Sequence, residues 1–281
     1  MDLTSIKLVA TDMDGTLLNG RHELNQAFFP LLQQMKAKGI LFAAASGRQY
    51  YNLLNRFEQV PDDVIFIAEN GSYVVHQGKV ILVQAMDSSI TKELIVSARK
   101  LKDVHIILCG VKQAYVESNE PLFMEKVAMY YDKYLLVDDL LQVNDDQFLK
   151  IALCDLAGSE TNSYPYFKHL EDQLQVKVSG SIWLDLSHRL ANKGRALNAL
   201  QSRFGIPKEA TMTFGDYLND LELMQEAHFS FAMENAHPNI KKASNYATKS
   251  NEEDGVLLVL LEMLAAMEAS TSRNQLPTTS Q

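Results

Sequence analysis

"TDMDGTLL", residues 11–18, decides the fold. The apolar run "IKLVA" (6–10) leads into it, and together they read as a strand covered on both faces. The strand ends in two carboxylates, Asp12 and Asp14, followed by Gly15 and Thr16. Taken alone, the Asp12/Asp14 pair also fits a turn that merely ends a strand, with Gly15 supplying an unusual backbone angle. Two acids at a strand end also suit a site built where a parallel sheet delivers its residues.

Working outward, strand-like and helix-like stretches alternate. Residues 24–38 read as a helix, "ILFAAAS" (40–46) as a second buried strand, 49–57 as a helix and "VIFIA" (64–68) as a third strand. "SYVVH" and "KVILV" flank Gln77-Gly78 as a hairpin. From 85 to 187 the texture changes to two hairpins ("VHIILCG" with "AYVES", "VKVSG" with "IWLDLS"), helices at 88–101, 121–131 and 163–174, and a strand at 149–156. The first texture then returns, with helices at 192–204 and 219–227, strands at 210–216 and 229–233, and two further helical stretches. The expected fold is α/β, a doubly wound, Rossmann-like parallel sheet over 1–84 and 188–268, split by an α+β insert over 85–187. The polar stretch 269–281 is expected to be a disordered tail.

Composition narrows the function. The 281 residues are 47% hydrophobic and 22% charged, with a formal net charge of −9. That is an ordinary globular balance, and without basic clusters it disfavours nucleic acid and anionic membranes as partners. The longest apolar stretch, 255–267, is too short for a membrane span and contains Glu262. Cys109 and Cys154 lie in strand-like runs and read as buried thiols. With no signal-peptide pattern, a cytoplasmic monomer or homodimer is expected.

Ligands bind beyond the carboxyl ends of strands in an open parallel sheet. The ends here deliver Asp12, then Ser46 with Gly47 and Arg48, then Asp216 with Asn219 and Asp220. Two carboxylates about 4 Å apart repel by roughly 4 kcal/mol at an effective dielectric near 20. A proton or a cation must hold three of them together, and oxygen ligands with no His or Cys favour Mg²⁺, which points to phosphoryl chemistry. Lys193 sits in the first turn of its helix, where the macrodipole disfavours a cation unless an anion is bound. Taken singly, Lys193 fits a solvated surface position, Ser46 a helix cap, and Asp216, Asn219 and Asp220 a turn.

The order of these elements resembles a known family. "DMDGTLL", "ASGR", "NKG" and "GDYLND" are similar to the four motifs of the haloacid dehalogenase-like (HAD) phosphatases, and "AENGS", "AMENA" and "EEDGV" to the Cof-type subclass IIB sugar phosphatases with their C2-type cap. Leu218 departs from the small residue usual there. The resemblance implies a Mg²⁺-dependent phosphatase of small phosphorylated metabolites, most often sugar phosphates, working through an aspartyl-phosphate. Asp12 would be the nucleophile and Asp14 the proton carrier. Asp12, the Asp14 carbonyl and Asp216 would hold the metal, with Asp220 supporting it or orienting Lys193. Met13, Ser46, Gly47, Lys193 and Asn219 would hold the phosphate, and Thr16 would brace the turn. Arg48 is open between facing the substrate and an ion pair within the core. Trp183 reads as packing. A phosphomutase or phosphotransferase, or a non-catalytic phosphometabolite-binding regulator, are the alternatives.

Overall fold

The computed structural model describes residues 2–274, with side chains to 270. The first segment gives β1 (Leu8–Asp12), α1 (Phe28–Ala37), β2 (Leu41–Ala45), α2 (Tyr50–Arg56), β3 (Val64–Ala68), β4 (Tyr73–His76) and β5 (Lys79–Val83). The middle gives α3 (Ser88–Ala98), β6 (Val104–Gly110), β7 (Ala114–Val116), α4 (Pro121–Tyr130), β8 (Tyr134–Leu136), β9 (Phe148–Asp155), α5 (Ser163–Phe167), β10 (Leu174–Gly180) and β11 (Trp183–His188). The last gives α6 (Lys193–Phe204), β12 (Thr211–Gly215), α7 (Leu221–Gln225), β13 (Phe229–Ala232), α8 (Pro238–Ala243), β14 (Tyr246–Ala247) and α9 (Gly255–Asn274).

The first and last segments share one eight-stranded sheet, ordered β14-β13-β12-β1-β2-β3-β4-β5. It is parallel from β14 to β3, and the β4–β5 hairpin adds antiparallel strands at one edge. Side chains alternate across β1. Val9 packs on the face that holds Phe28 and Leu32 of α1 and Leu260 and Met263 of α9, while Leu8 and Ala10 face Ala196, Leu197 and Leu200 of α6. The middle segment makes a six-stranded, mostly antiparallel sheet, β10-β11-β9-β6-β7-β8, and its buried Leu149 joins the cluster of the first sheet. The split doubly wound core with an α+β insert is therefore present.

Several boundaries differ from expectation. The first helix starts at Phe28, because Asn25 turns the chain by accepting from the Ala27 N–H at 2.9 Å. The helix expected over 163–174 is only α5 and a 3₁₀ turn at Lys168–Leu170, since "EDQ" (171–173) offers no apolar face to hold another turn. The segment 219–227 is a 3₁₀ turn, Leu218–Asp220, followed by the short α7, and the turn accommodates half-buried Leu218. Strands β8 and β14, of three and two residues, are too short to show a period. α9 continues to Asn274, into the stretch expected to be disordered, because adding residues to an anchored helix avoids the nucleation cost. Residues 275–281 of that stretch lie outside the described residues.

One loop bears on the site. After β3, Glu69, Asn70 and Gly71 all have positive φ, at 50°, 54° and 92°. A side chain at Gly71 would bring its Cβ to 2.3 Å from the Asn192 carbonyl oxygen at the start of α6. Backbone held this way by surrounding structure concentrates at functional sites. Gly71→Ala is expected to cost about 2 kcal/mol or more, read as a lowered denaturation midpoint, despite the entropy that alanine removes from the unfolded chain.

Candidate active site

β1 lies between β12 and β2, so the sequence direction of the crossovers reverses beside it. Ligand clefts form at such a switch point. Asp12 ends β1, Ser46 follows β2 and Asp216 follows β12, so the three predicted strand ends are neighbours. A cavity of about 380 Å³ opens over them, lined by Asp12, Asp14, Ser46, Arg48, Asp216 and Asn219 from the first sheet. Its other wall comes from the second sheet and α4, with Tyr130, Lys150, Trp183 and Asp185.

Lys193 is the centre of this arrangement, and it is fully buried rather than solvated. Its ammonium donates to Asp12 Oδ1 at 2.5 Å and to Asp220 Oδ1 at 2.7 Å. Asn192 places it there by capping α6, its side chain accepting from the Arg195 N–H. Burial alone would lower the lysine's pKa, but Asp12 and Asp220 outweigh it and hold it above its usual range. The second Asp220 oxygen accepts from the backbone N–H groups of Asp216 and Tyr217 at 3.0 and 3.2 Å. Asp220 is thus committed to orienting Lys193 and the 216–217 turn. Thr16 donates to Asp216 Oδ1 at 3.0 Å, and Gly15, with φ at 78°, passes so close that a Cβ there would lie 2.4 Å from Asp216 Oδ2. Met13 is buried in the core, and its carbonyl accepts from Thr16 and Leu18, which closes the turn.

Asp12, Asp216 and Asp220 each offer an oxygen within 4.8 Å of the others. Burial, then Asp220, pushes Asp12 well above the usual carboxylate range against the pull of Lys193. The same causes push Asp216 up to about 7, with the Thr16 hydroxyl opposing. Ionising all three carboxylates against one ammonium would leave two negative charges, which is why the free site favours protons on Asp12 and Asp216. A hard divalent cation fits that donor set and charge.

Asp14 faces a different environment. Arg48 grips it with two donors, Nε and Nη2, each at 2.6 Å, and His22 Nδ1 lies 2.8 Å from its Oδ1. Burial would raise the Asp14 carboxyl, but the His22 and Arg48 bonds outweigh it and hold it well below the usual range. Arg48 is itself 2% exposed, donates to Asn52 and to the Met129 carbonyl, and lies 4.7 Å from the Tyr130 ring. It therefore lines the cavity and forms an ion pair with Asp14, and it also ties the core to α4.

Sequence reasoning missed several residues at the cavity. Trp183 is not simple packing: it lines the cavity, edge-on to Tyr130 at 5.4 Å. Lys150, Asp185 and Asn70 lie buried beside it. The available signal was a lone charge inside an apolar strand, "FLKIALC" and "IWLDLS". Among the described residues no helix is long and apolar enough to cross a membrane, and both cysteines are free and buried.

Comparison with known proteins finds relatives over most of the chain. Residues 9–260 match the haloacid dehalogenase-like hydrolase family. The chain is 35% identical over 264 residues to the 5-amino-6-(5-phospho-D-ribitylamino)uracil phosphatase YbjI of Escherichia coli, covering 92% of this chain and 97% of the relative. Among solved structures, SMU.1108c from Streptococcus mutans superposes with a TM-score of 0.85 at 29% identity, covering 92% of this chain and 99% of that one. The subclass IIB sugar phosphatase BT4131 shares the fold, with a TM-score of 0.78 at 21% identity over 91% and 98% of the two chains.

The raised carboxyls give a testable pH dependence. Asp216 titrates near 7 in the folded cation-free protein and near 3.9 when unfolded, so between those values the folded state binds more protons. The cation-free protein is therefore expected to lose stability as pH rises from about 4 to about 7 at this group. A saturating divalent cation should flatten that slope, measured as the denaturation midpoint against pH with and without chelator.

Proposed function

We propose a mechanism on the premise that this chain belongs to the haloacid dehalogenase-like hydrolase family and is a phosphoric monoester hydrolase. It hydrolyses small phosphomonoesters, sugar phosphates foremost, with Mg²⁺ and through an aspartyl-phosphate on Asp12. The observation that carries this is the buried Lys193 ammonium between Asp12 and Asp220, beside a third carboxylate at the next strand end. That geometry fixes one carboxylate beneath an anion-sized cleft and leaves net negative charge for a cation to neutralise.

Asp12 attacks phosphorus, and the bond from phosphorus to the leaving oxygen breaks. Asp14 gives that oxygen its proton. Water then attacks the acyl phosphate and loses a proton to Asp14, which restores Asp12 as a carboxylate. Lys193, Ser46, the Met13 and Gly47 backbone and Asn219 hold the phosphate oxygens. Asp12, Asp216 and the Asp14 carbonyl would hold Mg²⁺, which would supply charge neutralisation. Asp14 in the Arg48 and His22 grip is ionised, so it must leave that grip and take up a proton from solvent before it can protonate the leaving oxygen; the attacking water returns that proton for the next turnover. Arg48 is anchored on Met129 and Tyr130 of the insert, so movement of the insert frees Asp14.

A second substrate reading has its own support. The YbjI relative is named for a phosphate ester that joins a ribityl chain to a pyrimidine, and here Tyr130 and Trp183 offer an aromatic wall to a planar ring. Trp183→Ala is expected to raise KM severalfold for such a ribityl-pyrimidine phosphate and to leave simple hexose phosphates unchanged. An equal effect on both would remove the planar-ring reading.

The primary test is phosphate release from an aryl phosphate and a phosphosugar panel, with Mg²⁺ or with chelator. Wild type should turn over only with the metal, and Asp12→Asn should lose at least about a thousandfold in kcat, the scale of losing a nucleophile. Metal-independent turnover, or an active Asp12→Asn, would contradict the assignment.

A further inference from the structure

The strained loop after β3 and two charges of the insert form a network that the hydrolytic steps above do not use. Lys150 of β9 is 2% exposed, and its ammonium has three neighbours. It donates to the Gly47 carbonyl at 2.7 Å and to Asp185 Oδ2 at 3.2 Å, and it lies 3.0 Å from Glu69 Oε2 as an ion pair without an aligned hydrogen bond. An ammonium has three N–H groups, and two of this one's are engaged by Gly47 and Asp185 although it borders the cavity. Asp185 Oδ2 also accepts from Asn70 Nδ2 at 2.6 Å, and Asn70 Oδ1 accepts from Asn219 Nδ2 at 3.0 Å. Asn70 Nδ2 and Oδ1 are thereby both engaged, and the Asn70 N–H donates to the Ser46 carbonyl at 2.9 Å.

The two branches end on the same object. One runs from Lys150 to the Ser46–Gly47 turn. The other runs through Asp185 and Asn70 to Asn219. These are the strand-end groups read above as phosphate ligands from β2 and β12. Lys150 and Asp185 come from the insert, on adjacent strands β9 and β11, while Gly47, Asn70 and Asn219 come from the core. Buried polar groups that hydrogen-bond one another fix geometry, and here Lys150, Asp185, Asn70 and Asn219 are so joined, while Glu69 contributes only its charge.

We propose that Lys150 is a positioning residue for the phosphate site: seated against the core, it holds the Ser46–Gly47 turn directly and Asn219 through Asp185 and Asn70. Phosphate affinity is thus tied to the seating of the insert, and substrate contact by Lys150 is not required. This rests on the proposed phosphate-binding role of the strand ends.

The test measures binding of inorganic phosphate, which has no leaving group to touch the insert. Its affinity is read by calorimetry with Mg²⁺ and as competitive inhibition of aryl phosphate hydrolysis. Two variants approach the network from opposite ends: Lys150→Met, and Asn70→Gly, which keeps the positive φ while deleting the amide. Each is expected to weaken phosphate by roughly tenfold, the scale of one hydrogen bond to a charged group. The double variant should be weakened no more than Lys150→Met alone, since Lys150 stands at the head of both branches. Unchanged phosphate affinity in Asn70→Gly and in folded Lys150→Met would overturn the proposal, and so would a double variant weakened by the product of the two. If Lys150→Met does not fold, Asn70→Gly decides alone: tenfold loss supports the proposal, and wild-type affinity overturns it. Wild type that binds phosphate but hydrolyses no phosphomonoester would sink the hydrolase reading alone. Wild type that binds no phosphate would overturn both.

Discussion

A buried ammonium governs this structure. Lys193 is at the first position of α6, where the helix dipole repels it, and it is buried away from bulk solvent. Only a pair of carboxylates offsets both costs, and Asp12 and Asp220 supply them from different strand ends. That requirement fixes α6 against the sheet, draws β1 and β12 to one point and orients the 216–217 turn through the second Asp220 oxygen. Deleting the lysine would leave the buried Asp12 and Asp220 charges uncompensated, which typically costs several kcal/mol. The site and the stability of the core are therefore parts of one electrostatic arrangement.

The same logic separates the two acids of the opening motif. Asp12 lies in a pocket crowded with negative charge, where burial and Asp220 favour its proton. Asp14, two residues on, faces Arg48 and His22 and stays ionised. These tendencies in the free site are opposite to what the proposed roles need: a bound cation would have to favour the ionised Asp12, and release from Arg48 and His22 would have to let Asp14 take up a proton. The Arg48 grip adds a condition: the proton carrier is held by a side chain that the insert also holds.

Much of this was legible in the sequence. β1, β2 and β3 read correctly because their residues are apolar on both faces, and the residues at their ends follow from parallel-sheet geometry. Lys193 was placed on its helix but not in the interior, because helix position alone does not show what packs over it. Lys150, Asp185 and Asn70 were invisible for a related reason. Their roles exist only when the inserted sheet meets the core, and no local period encodes that contact. Helix ends were misplaced where side-chain turns, as at Asn25, or the absence of an apolar face, as at 171–173, overrode the run of helix-forming residues.

The most direct measurement is peptide mapping of the protein quenched in acid during turnover of a phosphomonoester with Mg²⁺. The account predicts an acid-stable, hydroxylamine-sensitive phosphoryl group on Asp12 that appears within the first turnover and vanishes when substrate is exhausted. A turning-over enzyme with no phosphoryl group on Asp12, or with one on a different residue, would contradict it.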